Sequence, residues 1–116
     1  ECNAAGKMYI ACGMTREGRK QVAAIHYHNV KRWTSFGRKT FEEKKGRQTW
    51  EAALIIPLDV MTSHHLRHPR GMTMRANFYK CGDKLQTPHF LSWNRIDLPS
   101  PNFHRPDFFG TLEFER

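Results

Sequence analysis

The side chains best suited to chemistry lie in one proline-rich stretch, Ser92 to Gly110, which reads SWNRIDLPSPNFHRPDFFG. Trp93 offers a flat aromatic face, and the planar or charged groups of Asn94, His104 and Arg105 offer hydrogen-bond donors and acceptors. A flat aromatic face can stack on the apolar face of a pyranose while such polar groups bind its hydroxyls. The stretch therefore suggests recognition of a neutral sugar rather than bond cleavage.

Two interpretations of these residues remain open at the level of residue types. Trp93 is either a stacking platform or a core tryptophan at the end of a strand. Arg105 either contacts a ligand or pairs with Asp107, two residues away. Lys80 and Asp83 end a nearby predicted strand and complete the candidate binding set.

Three prolines decide the conformation expected for this stretch. Each proline fixes φ and removes a backbone donor, which excludes a helix or a central strand. Phe103, Phe108 and Phe109 supply apolar area that a disordered linker lacks. We predict a long ordered loop between strands at His89–Trp93 and Phe109–Phe114, and such loops on a rigid scaffold often carry binding residues.

The rest of the chain shows mostly strand signals. Alternating apolar residues and turn signals predict strands over residues 1–5, 7–14, 33–36, 48–56 and 72–80. Pro57 can begin a short helix over Leu58–Met61, and residues 19–27 are ambiguous between a helix and a connection. About six strands with short connections and no long amphipathic helix predict an all-β, antiparallel β-sandwich.

Residues 1–116 are predicted to form a single domain. The chain begins close to a predicted strand, so we expect it to be the C-terminal part of a sandwich that lacks its N-terminal strands. A sandwich without those strands exposes unpaired edges, so we also expect an upstream segment or a second chain to complete it.

No recognisable catalytic motif is present. Glycoside hydrolysis needs a pair of carboxyl groups at the scissile bond, but Glu51 is predicted to point outward and Asp59 to cap a short helix. No nucleophile elbow, phosphate-binding loop or dinucleotide fingerprint occurs in the chain. A non-enzymatic role is favoured, and a glycoside hydrolase with catalytic residues partly outside this segment is the alternative.

Other functional classes find less support. The formal net charge is +8, yet the basic residues are scattered, so we predict no nucleic-acid partner and keep a basic nucleic-acid-binding module as a second alternative. His64, His65 and His68 lie among arginines that would oppose a metal ion, which favours an exposed basic loop. The three cysteines indicate no disulfide framework. Neither a membrane span nor a signal peptide is visible in the segment.

A family resemblance rests on several runs of uncommon residues. They are Arg75 to Asp83 (RANFYKCGD), Ser92 to Asn94 (SWN), Phe103 to Pro106 (FHRP) and Phe108 to Gly110 (FFG). With this spacing the chain resembles the C-terminal half of the family 9-like carbohydrate-binding proteins of gut and soil bacteria. The resemblance is close after Met72 and looser before Gln48.

The resemblance implies a β-sandwich of the DOMON-like type, related to the family 9 modules of family 10 xylanases. Those modules hold a sugar between tryptophans and carry structural calcium elsewhere. The family's Trp-x-Asp-Ser-like strand is absent here, so carry-over of a sugar site falls on Trp93 and Asn94. The expected function is non-catalytic binding of an oligosaccharide or polysaccharide of the xylan or cellulose type, in the bacterial periplasm or outside the cell.

Overall fold

The computed structural model describes residues 1–116, and its regular elements are mainly short antiparallel strands joined by long irregular connections. The strands are β1 (Ala11–Cys12), β2 (Lys20–Gln21), β3 (Lys31–Thr34), β4 (Ala52–Ile55), β5 (Thr73–Ala76), β6 (Tyr79–Gly82), β7 (His89–Ser92) and β8 (Gly110–Glu113). One four-residue helix, α1 (Ala24–Tyr27), and 3₁₀ turns at Leu58–Val60 and Pro106–Phe108 complete the elements. The strands form four two-stranded sheets, β1–β2, β3–β4, β5–β8 and β6–β7. The prediction of antiparallel β structure is confirmed.

The chain divides into two compact units, Glu1–Arg67 and His68–Arg116. In the first unit the buried side chains are few, namely Ala5, Val30, Thr34 and Val60. The Thr34 hydroxyl donates to the backbone oxygen of Gly37 at 2.8 Å, which satisfies its polar group where it is buried. This unit therefore has only a small core, with Val30 and Thr34 at opposite ends of β3.

Several strands of the first unit are shorter than predicted. The N-terminal pair is reduced to a single bridge between Cys2 and Met8, closed by a turn in which Gly6 has φ 68°. The predicted strand Gln48–Ile56 is only β4, and all four of its residues are exposed. The alternation in this segment does not mark a buried face, because β4 pairs only with β3 and both Leu54 and Ile56 are exposed.

The segment at Asn77 and Phe78 divides the second unit. We predicted one strand over Met72–Lys80, but the chain forms β5 before this point and β6 after it, and these strands pair with β8 and β7 respectively. The Asn77 side-chain oxygen accepts the backbone N–H of Phe78 at 2.9 Å, a local bond of the kind that competes with sheet pairing. Phe78, which shares the apolar alternation with Met74, is exposed.

Aromatic contacts order the long loop after β7, as predicted. The Phe103 ring stacks on Tyr79 with centroids 4.4 Å apart and meets Phe90 edge-on at 6.0 Å. Near the end of the loop, Arg75 on β5 donates to the backbone oxygen of Phe109 at 2.6 Å. The loop is therefore attached both to the β6–β7 hairpin and to β5.

Candidate functional site

An open apolar surface lies on one side of the β6–β7 hairpin. The register pairs Tyr79 with Ser92 and Lys80 with Leu91, and Trp93 continues it by donating its N–H to the Phe78 oxygen at 2.9 Å. Directly opposed residues project to the same face of an antiparallel pair. Phe78, Leu91 and Trp93 are 58%, 60% and 55% exposed, and we call these three residues the aromatic face.

The two rings of the aromatic face are in contact. The centroids of Phe78 and Trp93 lie 5.6 Å apart with an interplanar angle of 54°, within the range of favourable aromatic pairs. The contact restrains both rings although more than half of each residue remains exposed. Trp93 is thus an exposed side chain held in place by a neighbour, rather than a core tryptophan.

Lys80 and His89 form the polar part of the same hairpin face. The Lys80 ammonium donates to His89 Nε2, because an ammonium has no acceptor and the ring nitrogen must accept. The other ring nitrogen, Nδ1, then carries the proton and donates to the Thr87 oxygen at 3.0 Å. In this arrangement His89 links Lys80, which supplies a positive charge, to the Thr87 oxygen.

Asp83 lies at the other end of the hairpin from Trp93. It is exposed in the turn that follows β6. Asp83 lies five positions after Phe78 along the chain, a spacing of about 16 Å in an extended strand. The structure therefore brings Lys80 close to the aromatic face but leaves Asp83 distant from it.

The opposite side of the hairpin is covered by the long loop. Residues of β7 and the loop enclose a cavity of about 190 Å³, lined in part by Phe90, Leu98, Pro101 and Phe103. Ligand cavities are usually about 300 Å³ or more, so this space is small for a sugar. Beside it, the Tyr79 hydroxyl is buried without a hydrogen-bond partner in the chain, and burial raises the pKa of this phenol.

Asn77 joins the aromatic face to the rest of the second unit through four hydrogen bonds. Its Oδ1 accepts the N–H groups of Phe78 at 2.9 Å and Asn94 at 2.8 Å. Its Nδ2 donates to the backbone oxygens of Asn94 at 2.9 Å and Phe108 at 3.4 Å. The backbone on both sides of the Phe78–Trp93 pair is therefore attached to one side chain.

The Asn94 carboxamide faces the interior. It packs so closely on Gly110 that a Cβ at that position would lie 1.7 Å from Asn94 Nδ2. This nitrogen is buried and has no hydrogen-bond partner in the chain. In this conformation the Asn94 carboxamide packs against Gly110, and its Nδ2 is not accessible to a ligand.

His104 and Arg105 lie on the loop, before the 3₁₀ turn Pro106–Phe108. The His104 N–H donates to Asn102 Oδ1 at 3.0 Å, and its side chain is half-buried. Arg105 makes a bidentate pair with Asp107, with Nε 2.9 Å from Oδ1, and its guanidinium lies 5.1 Å from the Phe108 ring centroid. The hydrogen bond from Arg105 holds the pKa of the Asp107 carboxyl below its usual range and raises the pKa of Arg105.

Of the two interpretations weighed for Arg105, the structure shows pairing with Asp107. The sequence also failed to indicate Asn77, Phe78, Leu91 and His89 as parts of this region. An asparagine inside an apparent strand was the available signal, because asparagine is depleted in strands and often marks their ends.

Metal binding finds no support in the geometry. Calcium takes six to eight oxygen ligands, and no group of three or more His, Cys, Asp or Glu side chains is placed to hold an ion. No side-chain cluster of this kind marks a site for the structural calcium implied by the resemblance. His64, His65 and His68 are exposed in the loop between the 3₁₀ turn Leu58–Val60 and β5.

No helix in the structure has both the length and the apolar character needed to cross a membrane.

Comparison with known proteins shows the family to which this chain belongs. Residues 1–114 match carbohydrate-binding family 9, and no curated protein matches the chain. A solved structure from Bacteroides uniformis ATCC 8492, provisionally described as a carbohydrate-binding protein, is 48% identical with a TM-score of 0.90. The similarity covers 98% of this chain and 52% of that one, so this chain spans about half its length. The predicted resemblance and all-β, sandwich-like fold are confirmed, and the chain belongs to carbohydrate-binding family 9.

Proposed function

We propose that this chain binds carbohydrate without cleaving it, by holding a pyranose ring against Phe78 and Trp93. The observation that carries the proposal is the pair of exposed rings, 5.6 Å between centroids, on an open hairpin face. Contiguous exposed apolar surface in a folded protein commonly marks a binding site. Membership of carbohydrate-binding family 9 and the description of the Bacteroides relative support a sugar as the ligand.

The shape of the surface favours an extended chain of flat sugar rings. The aromatic face lies open on a hairpin, whereas the one small cavity nearby lies on the other side under the loop. β-1,4-linked pyranoses of the xylan and cellulose type carry their substituents mainly at the ring edges and so present flat faces for stacking. We therefore propose polysaccharides of this type as ligands.

The six residues predicted from the sequence have different roles in this proposal. Trp93 stacks on the sugar and Lys80 lies at the edge of the aromatic face. Arg105 has donors beyond those used by Asp107, because a guanidinium carries five N–H groups. The Asn94 carboxamide is packed against Gly110. His104 and Arg105 are loop groups within the same unit, and Asp83 contributes least because of its distance.

Replacement of Trp93 tests the proposal directly. We expect Trp93→Ala to weaken binding of xylo- or cello-oligosaccharides at least about tenfold, a loss of about 1.4 kcal/mol. The measurement is isothermal titration, with circular dichroism to show that the variant is folded.

Trp33→Ala is a matched control, because Trp33 is 54% exposed but lies on β3 in the first unit. It should leave binding unchanged. Equal affinity in the Trp93 variant and the unmodified chain, or equal losses in the two tryptophan variants, would contradict the proposed site.

The Asp107 carboxyl, which pairs with Arg105 on the candidate loop, gives little support to the glycoside hydrolase alternative. A general acid in glycoside hydrolysis needs a raised pKa, whereas Arg105 lowers that of Asp107. We expect no release of new reducing ends when the chain is incubated with the oligosaccharides that it binds.

A further inference from the structure

Lys80 places a fixed positive charge beside the aromatic face. Lys80 pairs with Leu91 across the hairpin. Along the chain it lies two positions after Phe78, a spacing of about 7 Å in a strand. Residues two apart in a strand project to the same face, so Lys80 and the aromatic rings face the same side. The ammonium itself points to His89, which pairs with Gly82 further along the hairpin, so it would meet a neighbouring residue or branch of a sugar stacked on Phe78 and Trp93 and not the stacked ring itself.

Contacts within the hairpin hold Lys80 in position. The ammonium donates to His89, and His89 is in turn oriented by the Thr87 oxygen. A side chain ordered before binding loses less conformational entropy when a ligand arrives. Because a lysine ammonium has three donors, Lys80 retains two for a further partner.

No carboxylate of the chain neutralises Lys80. The ion pairs in the structure join Arg19 to Glu1, Arg95 to Asp97 and Arg105 to Asp107. Lys80 is half-buried, and a charge in such a position interacts more strongly with an opposite charge than one in open water. A neutral glycan would leave this charge without a counter-charge, whereas an anionic one would supply it.

We propose that the aromatic face selects acidic glycans, with Lys80 binding the carboxylate of a uronic acid next to the stacked sugar. This inference rests on the proposed sugar binding and adds the chemical class of the ligand. The net charge of +8 attracts such polyanions to the protein at low salt. In a polysaccharide of the xylan type, the carboxylate would belong to a glucuronic acid branch.

The test compares two ligands that differ only in charge. The probes are a xylo-oligosaccharide and the same oligosaccharide with one glucuronic acid branch, titrated calorimetrically at about 50 mM and about 500 mM salt. We expect the acidic probe to bind about tenfold more tightly at low salt and to lose part of that advantage at high salt, because salt screens a half-buried ion pair only partly. The neutral probe should show little salt dependence.

Two lysine variants locate the selectivity. Lys80→Met keeps a long apolar side chain without the charge. This variant should therefore bind both probes with the affinity that the unmodified chain has for the neutral probe. Lys84→Met removes a charge from the exposed turn of the same hairpin and should keep the preference for the acidic probe.

Each alternative outcome has a separate meaning. Equal binding of both probes by the unmodified chain would overturn the acidic selectivity and leave the proposed function standing. Binding of neither probe would overturn both. A preference that survives in Lys80→Met, or an equal loss of both probes in that variant, would show that Lys80 does not bind the carboxylate.

Discussion

Asn77 makes four hydrogen bonds with one short side chain, and all four go to backbone groups around the aromatic face. Asparagine suits this position because its carboxamide offers two donors and an acceptor oxygen with two lone pairs. Aspartate would lose both donors and place a negative charge against two carbonyl oxygens. Asn77 is therefore a positioning residue for Phe78 and Trp93 and does not itself need to touch a ligand.

We expect Asn77→Ala to weaken sugar binding because the backbone beside Phe78 and Trp93 loses its shared attachment. The loss of stability should be about 1–3 kcal/mol, since buried backbone groups would remain unpaired. Thermal unfolding and titration with a xylo-oligosaccharide, performed well below the unfolding temperature, measure the two effects separately.

Asn102→Ala serves as the comparison for this substitution. Asn102 accepts one local hydrogen bond, from the N–H of His104. Its removal should therefore have a smaller effect on both measurements. If Asn77→Ala left the affinity unchanged in the folded protein, Asn77 would have a structural role alone.

At the scale of elements, the 3₁₀ turn Pro106–Phe108 is held by charge as well as by packing. The Arg105 side chain pairs with the Asp107 carboxylate and lies over the Phe108 ring. Arg75 donates to the backbone oxygens of Asp107 and Phe109. These contacts connect the end of the loop to β5, which pairs with β8 immediately after the turn. The turn thus sets where β8 begins.

The Arg105–Asp107 pair should make stability depend on acid pH. The folded state lowers the pKa of Asp107, so the unfolded state binds its proton more readily. The contribution is fully present above the ordinary carboxyl pKa of about 4 and is lost as pH falls through the lower pKa of the folded state. We expect Asp107→Asn to remove this part of the acid dependence, as measured by thermal unfolding between pH 7 and pH 2.

Asp59→Asn provides the control for the acid titration. Asp59 is an exposed carboxyl in the other 3₁₀ turn, Leu58–Val60. This variant should keep the acid profile of the unmodified chain. Parallel acid profiles for Asp107→Asn and the unmodified chain would show that the ion pair contributes no measurable stability.

At the scale of the whole molecule, the chain exposes much of its surface. Its accessible area is 9750 Å², whereas a compact protein of 13.7 kDa exposes about 6,600 Å². Part of the excess lies on the β3–β4 sheet, where Trp33, Leu54 and Ile55 are exposed. That an upstream segment or a second chain completes the sandwich, and that residues 1–116 form the C-terminal part of one domain, remain predictions.

This exposure predicts that the chain by itself binds the hydrophobic dye ANS. We expect the fluorescence of bound dye to fall in Ile55→Lys, because Ile55 is 66% exposed on β4. Thr40→Lys adds the same charge at an exposed polar position and should leave the signal unchanged. If dye fluorescence were as low as that of a well-packed protein, the exposed apolar side chains of the β3–β4 sheet would be covered in solution.

Local sequence patterns were sufficient for the parts of the fold that depend on neighbours in the chain. The prolines of the long loop exclude a long helix and a central strand, and only the short 3₁₀ turn Pro106–Phe108 occurs there. Phe103 and Phe108 were identified as the side chains that order the loop. The hairpin strand at His89 and the last strand after Phe109 were also predicted within two residues of their ends. The family resemblance indicated the sandwich-like fold that the comparisons support.

Tertiary structure alone decided which surfaces are open and which groups meet. Alternation predicts that a strand has two faces, but which face is covered depends on partners that lie far along the chain, as β8 does from β5. For this reason the sequence did not show that Phe78 lies on an open surface, while Asn94 was expected at the ligand and has its amide nitrogen buried. The contact of Lys80 with His89 depends on the register of the hairpin, which residue types alone do not specify.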